Sequence, residues 1–82
     1  MPYLPKAVRP DLDEIVALME EIGVSADGDL NYILFKYARR IPQNYNSIKN
    51  YRAELRETAD EIGRRILAPY EDKKIAQNGD VL

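Results

Sequence analysis

Apolar residues recur along this 82-residue chain in three helical rhythms. Leu12, Ile15, Val16, Met19 and Ile22 follow three- and four-residue steps, which place side chains on one face of an α-helix. Asp11 and Glu14 stand where a capping box would open that helix, and Gly23 is placed to close it in a left-handed conformation. The pattern predicts a first helix over 11–22, with Leu18 off the main face as a second contact surface.

Leu30, Ile33, Leu34, Tyr37 and Ile41 form a second stripe, which Tyr32 and Phe35 widen to more than half of the helix circumference. A helix over 29–41 follows, capped by Asp27 or Asp29 and stopped by Pro42. The third stripe, Ile48, Tyr51, Leu55, Ala59, Ile62 and Ile66, alternates three- and four-residue steps like a coiled-coil seam. It predicts a helix over 47–68, entered through Asn46 or Ser47 and roughly 33 Å long at 1.5 Å per residue. A helix of that length outreaches the core of so small a domain and calls for a partner chain. Asp60 with Arg64, and Glu61 with Arg65, are i,i+4 pairs in the favourable order.

Pro69 cannot donate to a helix and disfavours a helical Ala68, so it should kink the third helix or restart it. The restarted segment, 69–78, has Glu71 and Asp72 in its first turn, then Lys73 and Lys74, an order that complements the helix dipole. Ile75 is its anchor and Asn78-Gly79 its end. Residues 1–10 hold three prolines and are expected to be an extended arm, laid across the domain through Tyr3, Leu4 and Val8. No strand-like alternation and no internal repeat is present. The expected fold is a single all-α domain of three helices, with a long third helix, a Pro69 kink, a short C-terminal helix, and oligomeric assembly.

Composition narrows the chemistry. Cysteine and histidine are both absent, which removes disulfides, thiolate chemistry, zinc sites built on Cys or His, and imidazole catalysis. At this size one core supplies only a few kcal/mol, so self-association is the stabilising device that remains. Ser25 and Ser47 are at helix entries without a histidine to activate them, and the four glycines form no phosphate loop. The DGD at 27–29 fails as a calcium loop, because its terminal ligand position would fall on Leu34. A non-enzymatic protein with no cofactor and no metal is expected. The net charge of −2 argues against nucleic-acid binding, and no apolar run approaches the ~20 residues of a membrane span. MPYLPKAVRP shows no secretory apolar region, so a cytosolic protein is expected.

The small net charge hides a segregation. From Asp11 to Asp29 there are seven acids and no base; from Lys36 to Arg56 there are six bases and one acid, Glu54. Such segregation can pair two helices, join two subunits, or line an anion site. Tyrosines cluster with the bases: Tyr37 beside Arg39 and Arg40, Tyr45 and Tyr51 beside Lys49 and Arg52, and Tyr70 just after Arg64 and Arg65. Tyrosine can stack on a base while arginine forks onto a phosphate, a set that suits a nucleotide-like anion. The same residues also suit ordinary packing, with arginine stems covering half-buried tyrosine rings.

Three stretches carry a resemblance: MPYLPK at the start, GDLNYIL entering the second helix, and RRILAPYEDKKIAQNGDV at the end. Together they resemble a family of small uncharacterised phage and prophage proteins, over essentially the whole chain and most specifically in the C-terminal run. The stretch from Arg39 to Glu61 matches loosely. The resemblance implies a phage context, in which small helical proteins often inhibit host systems. In size and helical-hairpin character the chain is also similar to oligomeric sponges that sequester nucleotide second messengers of bacterial immunity. That likeness implies a homo-oligomer with an intersubunit pocket, walled by Arg64, Arg65, Tyr70, Lys73 and Lys74 with Tyr51 and Arg52, in the host cytoplasm. A helical module that binds a host or phage protein is the alternative, and a phage DNA-associated factor the third.

Overall fold

The computed structural model describes residues 4–81. They are all-α: the described residues are 79% helical, with three helices, the last of them long, and no strand among them. A short 3-10 turn, Lys6–Val8, leads into α1 (Arg9–Ile22); α2 is Gly28–Ala38 and α3 is Tyr45–Ile62. A π turn, Gly63–Leu67, joins α3 to α4 (Ala68–Asn78), so helical backbone runs for 34 residues. By internal contacts the chain divides into two compact units, Pro2–Ile48 and Lys49–Leu82.

In the first unit α1 starts earlier than its apolar rhythm suggests. Pro10 enters the first turn, where its fixed φ fits and its missing N–H is not needed. Val8 is therefore the cap residue, without a side-chain bond, and Asp11 sits inside the first turn as a dipole-favoured acid instead of opening a capping box. The expected arm is helical from Lys6; Leu4 and Val8 are exposed, and Tyr3 lies outside the described residues. Gly23 ends the helix as expected. Its φ of 76° is left-handed, and its N–H bonds back to Met19 and Glu20.

Side chains fix the connector that follows. Asp27 caps α2 by accepting from the Gly28 N–H, and the Asp29 carboxylate accepts from the Ser25 N–H at 3.1 Å. The Ser25 hydroxyl donates to Asp27 at 3.1 Å, and the Ser25 carbonyl accepts from Leu30 at 3.1 Å. At its other end α2 stops at Ala38, one turn short of the expected 41. Pro42 biases Ile41 away from helical backbone, and the Gln43 amide bonds the Ala38 and Ile41 carbonyls at 2.9 and 2.8 Å.

The first turn of α3 is capped by Asn44, whose side chain accepts from the Ser47 N–H at 2.9 Å; neither Asn46 nor Ser47 is the cap. Further along, Pro69 marks a joint in the helix as expected, but Ala68 stays helical (φ −61°, ψ −46°). A proline ring crowds the carbonyl one turn earlier and leaves it without a donor. The π turn widens the coil just before this point, and the Ala68 N–H reaches back five residues to Gly63. Gly79 closes α4, its N–H bonding Ile75 at 2.8 Å.

Neither unit buries a hydrophobic side chain among the described residues; the one buried residue is Glu61. On α2, Leu30, Leu34 and Ala38 are half-buried along one side, and so is Ile41 beyond its end. Tyr32 and Phe35 do not widen that stripe. They lie on the opposite side of the helix and are 63% and 67% exposed. Most of α1's apolar stripe is exposed as well, from Leu12 through Ile15, Val16 and Leu18 to Ile22, with Met19 half-buried. Large apolar side chains thus stay exposed on each of the four α-helices.

Candidate functional site

The feature that stands apart in the second unit is built on Glu61. Residues three and four apart on a helix are neighbours, so the sequence E-x-x-R-R aims two guanidinium groups at one carboxylate. Arg65 donates to one oxygen of Glu61 at 3.1 Å, and Arg64 donates to the other. Asp60 was the expected partner of Arg64; the structure gives Arg64 to Glu61, so a single carboxylate collects both arginines. Glu61 is 7% exposed, while the Arg64 and Arg65 side chains are 66% and 57% exposed.

Burial by itself would raise the Glu61 pKa. The hydrogen bond from Arg65 and the charge of Arg64 outweigh it and hold the carboxyl below the ordinary glutamate value. The triad carries one net positive charge. Each guanidinium has five N–H donors, and the bonds to Glu61 use only part of them. The remaining donors belong to side chains that are more than half exposed. A shallow hollow of about 320 Å³ opens beside them, lined by Glu61, Ile62, Arg65 and Ile66.

Both arginines sit on the π turn, a local geometry that recurs at functional sites. One turn on, the Lys74 ammonium lies 5.6 Å from the centre of the exposed Tyr70 ring, a cation–π contact. Lys73 is exposed beside it. Arg64, Arg65, Tyr70, Lys73 and Lys74 thus share the segment from the π turn into α4. Tyr51, half-buried, and Arg52, exposed, lie on α3 instead, roughly 20 Å from the arginines at 1.5 Å per residue. One copy of the chain does not bring all seven together.

The sequence pattern did not single out Glu61 as the organiser of the site, or Ile62 and Ile66 as its apolar wall. The E-x-x-R-R spacing carried the first signal. A second surface lies on α2. Gly28, Asn31, Tyr32, Phe35, Lys36 and Arg39 line an open groove of about 440 Å³. There the Lys36 ammonium donates to the Tyr32 hydroxyl at 3.1 Å and lies 5.3 Å from its ring centre. Its sequence signal is the i, i+3, i+4, i+7 spacing of Tyr32, Phe35, Lys36 and Arg39, which marks a face of its own and not a widening of the buried stripe.

Among the described residues no group of carboxylates could hold a metal ion, and no helix is long and apolar enough to cross a membrane. Fold and site together define a small all-α protein with open apolar helix faces and a carboxylate-oriented pair of arginines. The chain belongs to the family described as a domain of unknown function (DUF6899), whose model matches residues 1–81. Comparisons with curated proteins and with solved structures gave no match.

Proposed function

We propose that this is a non-enzymatic, oligomeric binding protein of phage type that sequesters a small phosphate-bearing anion, an immune signalling nucleotide in the host cytoplasm. The observation that carries the reading is the pair Arg64 and Arg65, side by side on a π turn, both held by Glu61 and both more than half exposed. A pre-oriented guanidinium fork loses little entropy on meeting a phosphate and bonds it with charge assistance. Ile62 and Ile66 offer an apolar floor, Tyr70 a stacking face, and Lys73 and Lys74 further positive charge. In this reading the long third helices pair in antiparallel fashion. Tyr51 and Arg52 of a neighbouring copy then complete the pocket that one chain leaves open.

The test is the ligand itself. Protein purified from a host that makes such messengers is heat-denatured, and the supernatant is read by mass spectrometry. Apo protein is then screened by thermal shift against cyclic dinucleotides and ADP-ribose derivatives. A released nucleotide, or a shift with one member of the panel, is expected. A clean supernatant with no shift across the panel contradicts the reading.

The second reading, a helical module that binds a host or phage protein, draws on the absence of any buried hydrophobic residue among those described. It calls for a stoichiometric protein partner and indifference to nucleotides.

A further inference from the structure

The groove on α2 has a shape and charge that another part of the same sequence matches. Two aromatic residues, Tyr32 and Phe35, and two cations, Lys36 and Arg39, line it, with no acid among the lining residues. Gly28 also lines it, and an added Cβ there would meet nothing within 4 Å. The groove is on the side of α2 opposite Leu30, Leu34 and Ala38, the half-buried side.

The complementary element is α1. Leu12, Ile15, Val16, Leu18, Met19 and Ile22 cover a stripe nearly half its circumference. Asp13 and Glu20 flank that stripe on one side, Glu14 and Glu21 on the other, and α1 has no basic residue after Arg9. An apolar helix edged with acids fits an aromatic groove edged with bases: the rings and the aliphatic stripe lose water together while the charges pair at the rim.

The α1 of the same chain does not fill this groove. The connector is held by the Gly23 left-handed turn, the Ser25–Asp27–Asp29 bonds and the Asp27 cap, and α1 leaves its apolar stripe open. We infer that the α2 groove receives helix α1 of a second copy, so that each copy offers an acidic donor helix and a basic acceptor groove. The inference concerns the oligomeric half of the function proposed above and is independent of any ligand.

Two charge-reversed variants test it. The first carries Asp13→Lys, Glu14→Lys, Glu20→Lys and Glu21→Lys; the second carries Lys36→Glu and Arg39→Glu. Each repels its own kind, whereas the pair is complementary at both contacts. Size-exclusion chromatography with light scattering is expected to show an oligomer for the natural chain and monomers for each variant alone. A one-to-one mixture is expected to regain the natural mass. A natural chain that is monomeric, or a mixture that stays as two separate monomers, overturns the inference.

Because heavily altered helices can fail to fold, cysteine pairing supplies a second reading, and the chain has no cysteine of its own. Ile15→Cys and Phe35→Cys chains, each labelled with a different tag and mixed under mild oxidation, are expected to give a disulfide-linked product carrying both tags. Failure to form that product from two soluble helical variants counts against the α1–α2 contact even if the protein is oligomeric and binds nucleotide.

Discussion

Arg65 donates a 3.1 Å hydrogen bond to Glu61, one helical turn earlier, and Arg64 donates to the other oxygen of the same carboxylate. A carboxylate that is the one buried residue among those described, on a chain without a buried hydrophobic side chain, is placed to orient its partners. Exposed i,i+4 pairs in general stabilise a helix only slightly, so positioning is the larger consequence here.

The Glu61 carboxyl is held below its ordinary pKa, so its contribution to stability is present above the unfolded-state value. That contribution is lost as pH falls from the ordinary glutamate range through the lowered folded-state value. Thermal melts of the natural chain between neutral pH and pH 3 should fall more steeply in the acid limb than those of Glu61→Gln. At neutral pH the variant should be the less stable of the two. Parallel profiles would show that Glu61 does not carry this linkage.

Pro69→Ala restores a backbone donor and removes the ring that crowds the preceding turn. The variant is expected to gain about 1 kcal/mol or more of helix stability and to return the π turn to regular α geometry. Closing one extra residue of coil turns everything from Tyr70 onward by about 100° relative to Arg64 and Arg65. Anion binding should therefore fall while stability rises, which a loss of fold cannot mimic. Urea denaturation and backbone amide NMR of the variant would check both halves.

The connector makes a separate claim. Gly23 has φ 76°, and Asp27 caps α2. Gly23→Ala should cost about 1–2 kcal/mol, and Asp27→Ala about 1 kcal/mol. Equilibrium unfolding at fixed protein concentration is required, because association makes apparent stability concentration-dependent. Gly63 differs: it is helical, and an added Cβ there meets nothing within 4 Å. Gly63→Ala should stabilise by about 0.5–1 kcal/mol. A destabilised Gly63→Ala chain would mean that another copy packs against that position.

The helices were legible in the sequence because apolar spacing and end signals agreed. Gly23 and Gly79 closed α1 and α4, and Asp27 opened α2, as their residue types require. The ends that shifted did so where a proline or a longer-range side-chain bond took over. Pro10 entered α1, Pro42 unwound the end of α2, and Asn44 capped α3 from outside its expected start. The π turn was not readable, since proline spacing does not reveal whether a coil breaks or widens. Of the site, the arginines and Tyr70 could be named from clustering, while Glu61 required seeing that one carboxylate serves two guanidinium groups. Tyr32 and Phe35 look from the sequence like part of the buried side of α2, because an apolar residue in a wide stripe has no label for the surface it meets.

The most direct test of the central claim is isothermal titration of the nucleotide recovered from, or selected by, the natural chain, repeated on Arg64→Ala and Arg65→Ala. Each guanidinium bonded to a phosphate contributes about 1.5–3 kcal/mol, so each single variant is expected to bind roughly 10- to 100-fold more weakly, with its helical circular dichroism unchanged. Undiminished affinity in both variants, or no nucleotide that binds the natural chain at all, would contradict a phosphate site at the π turn.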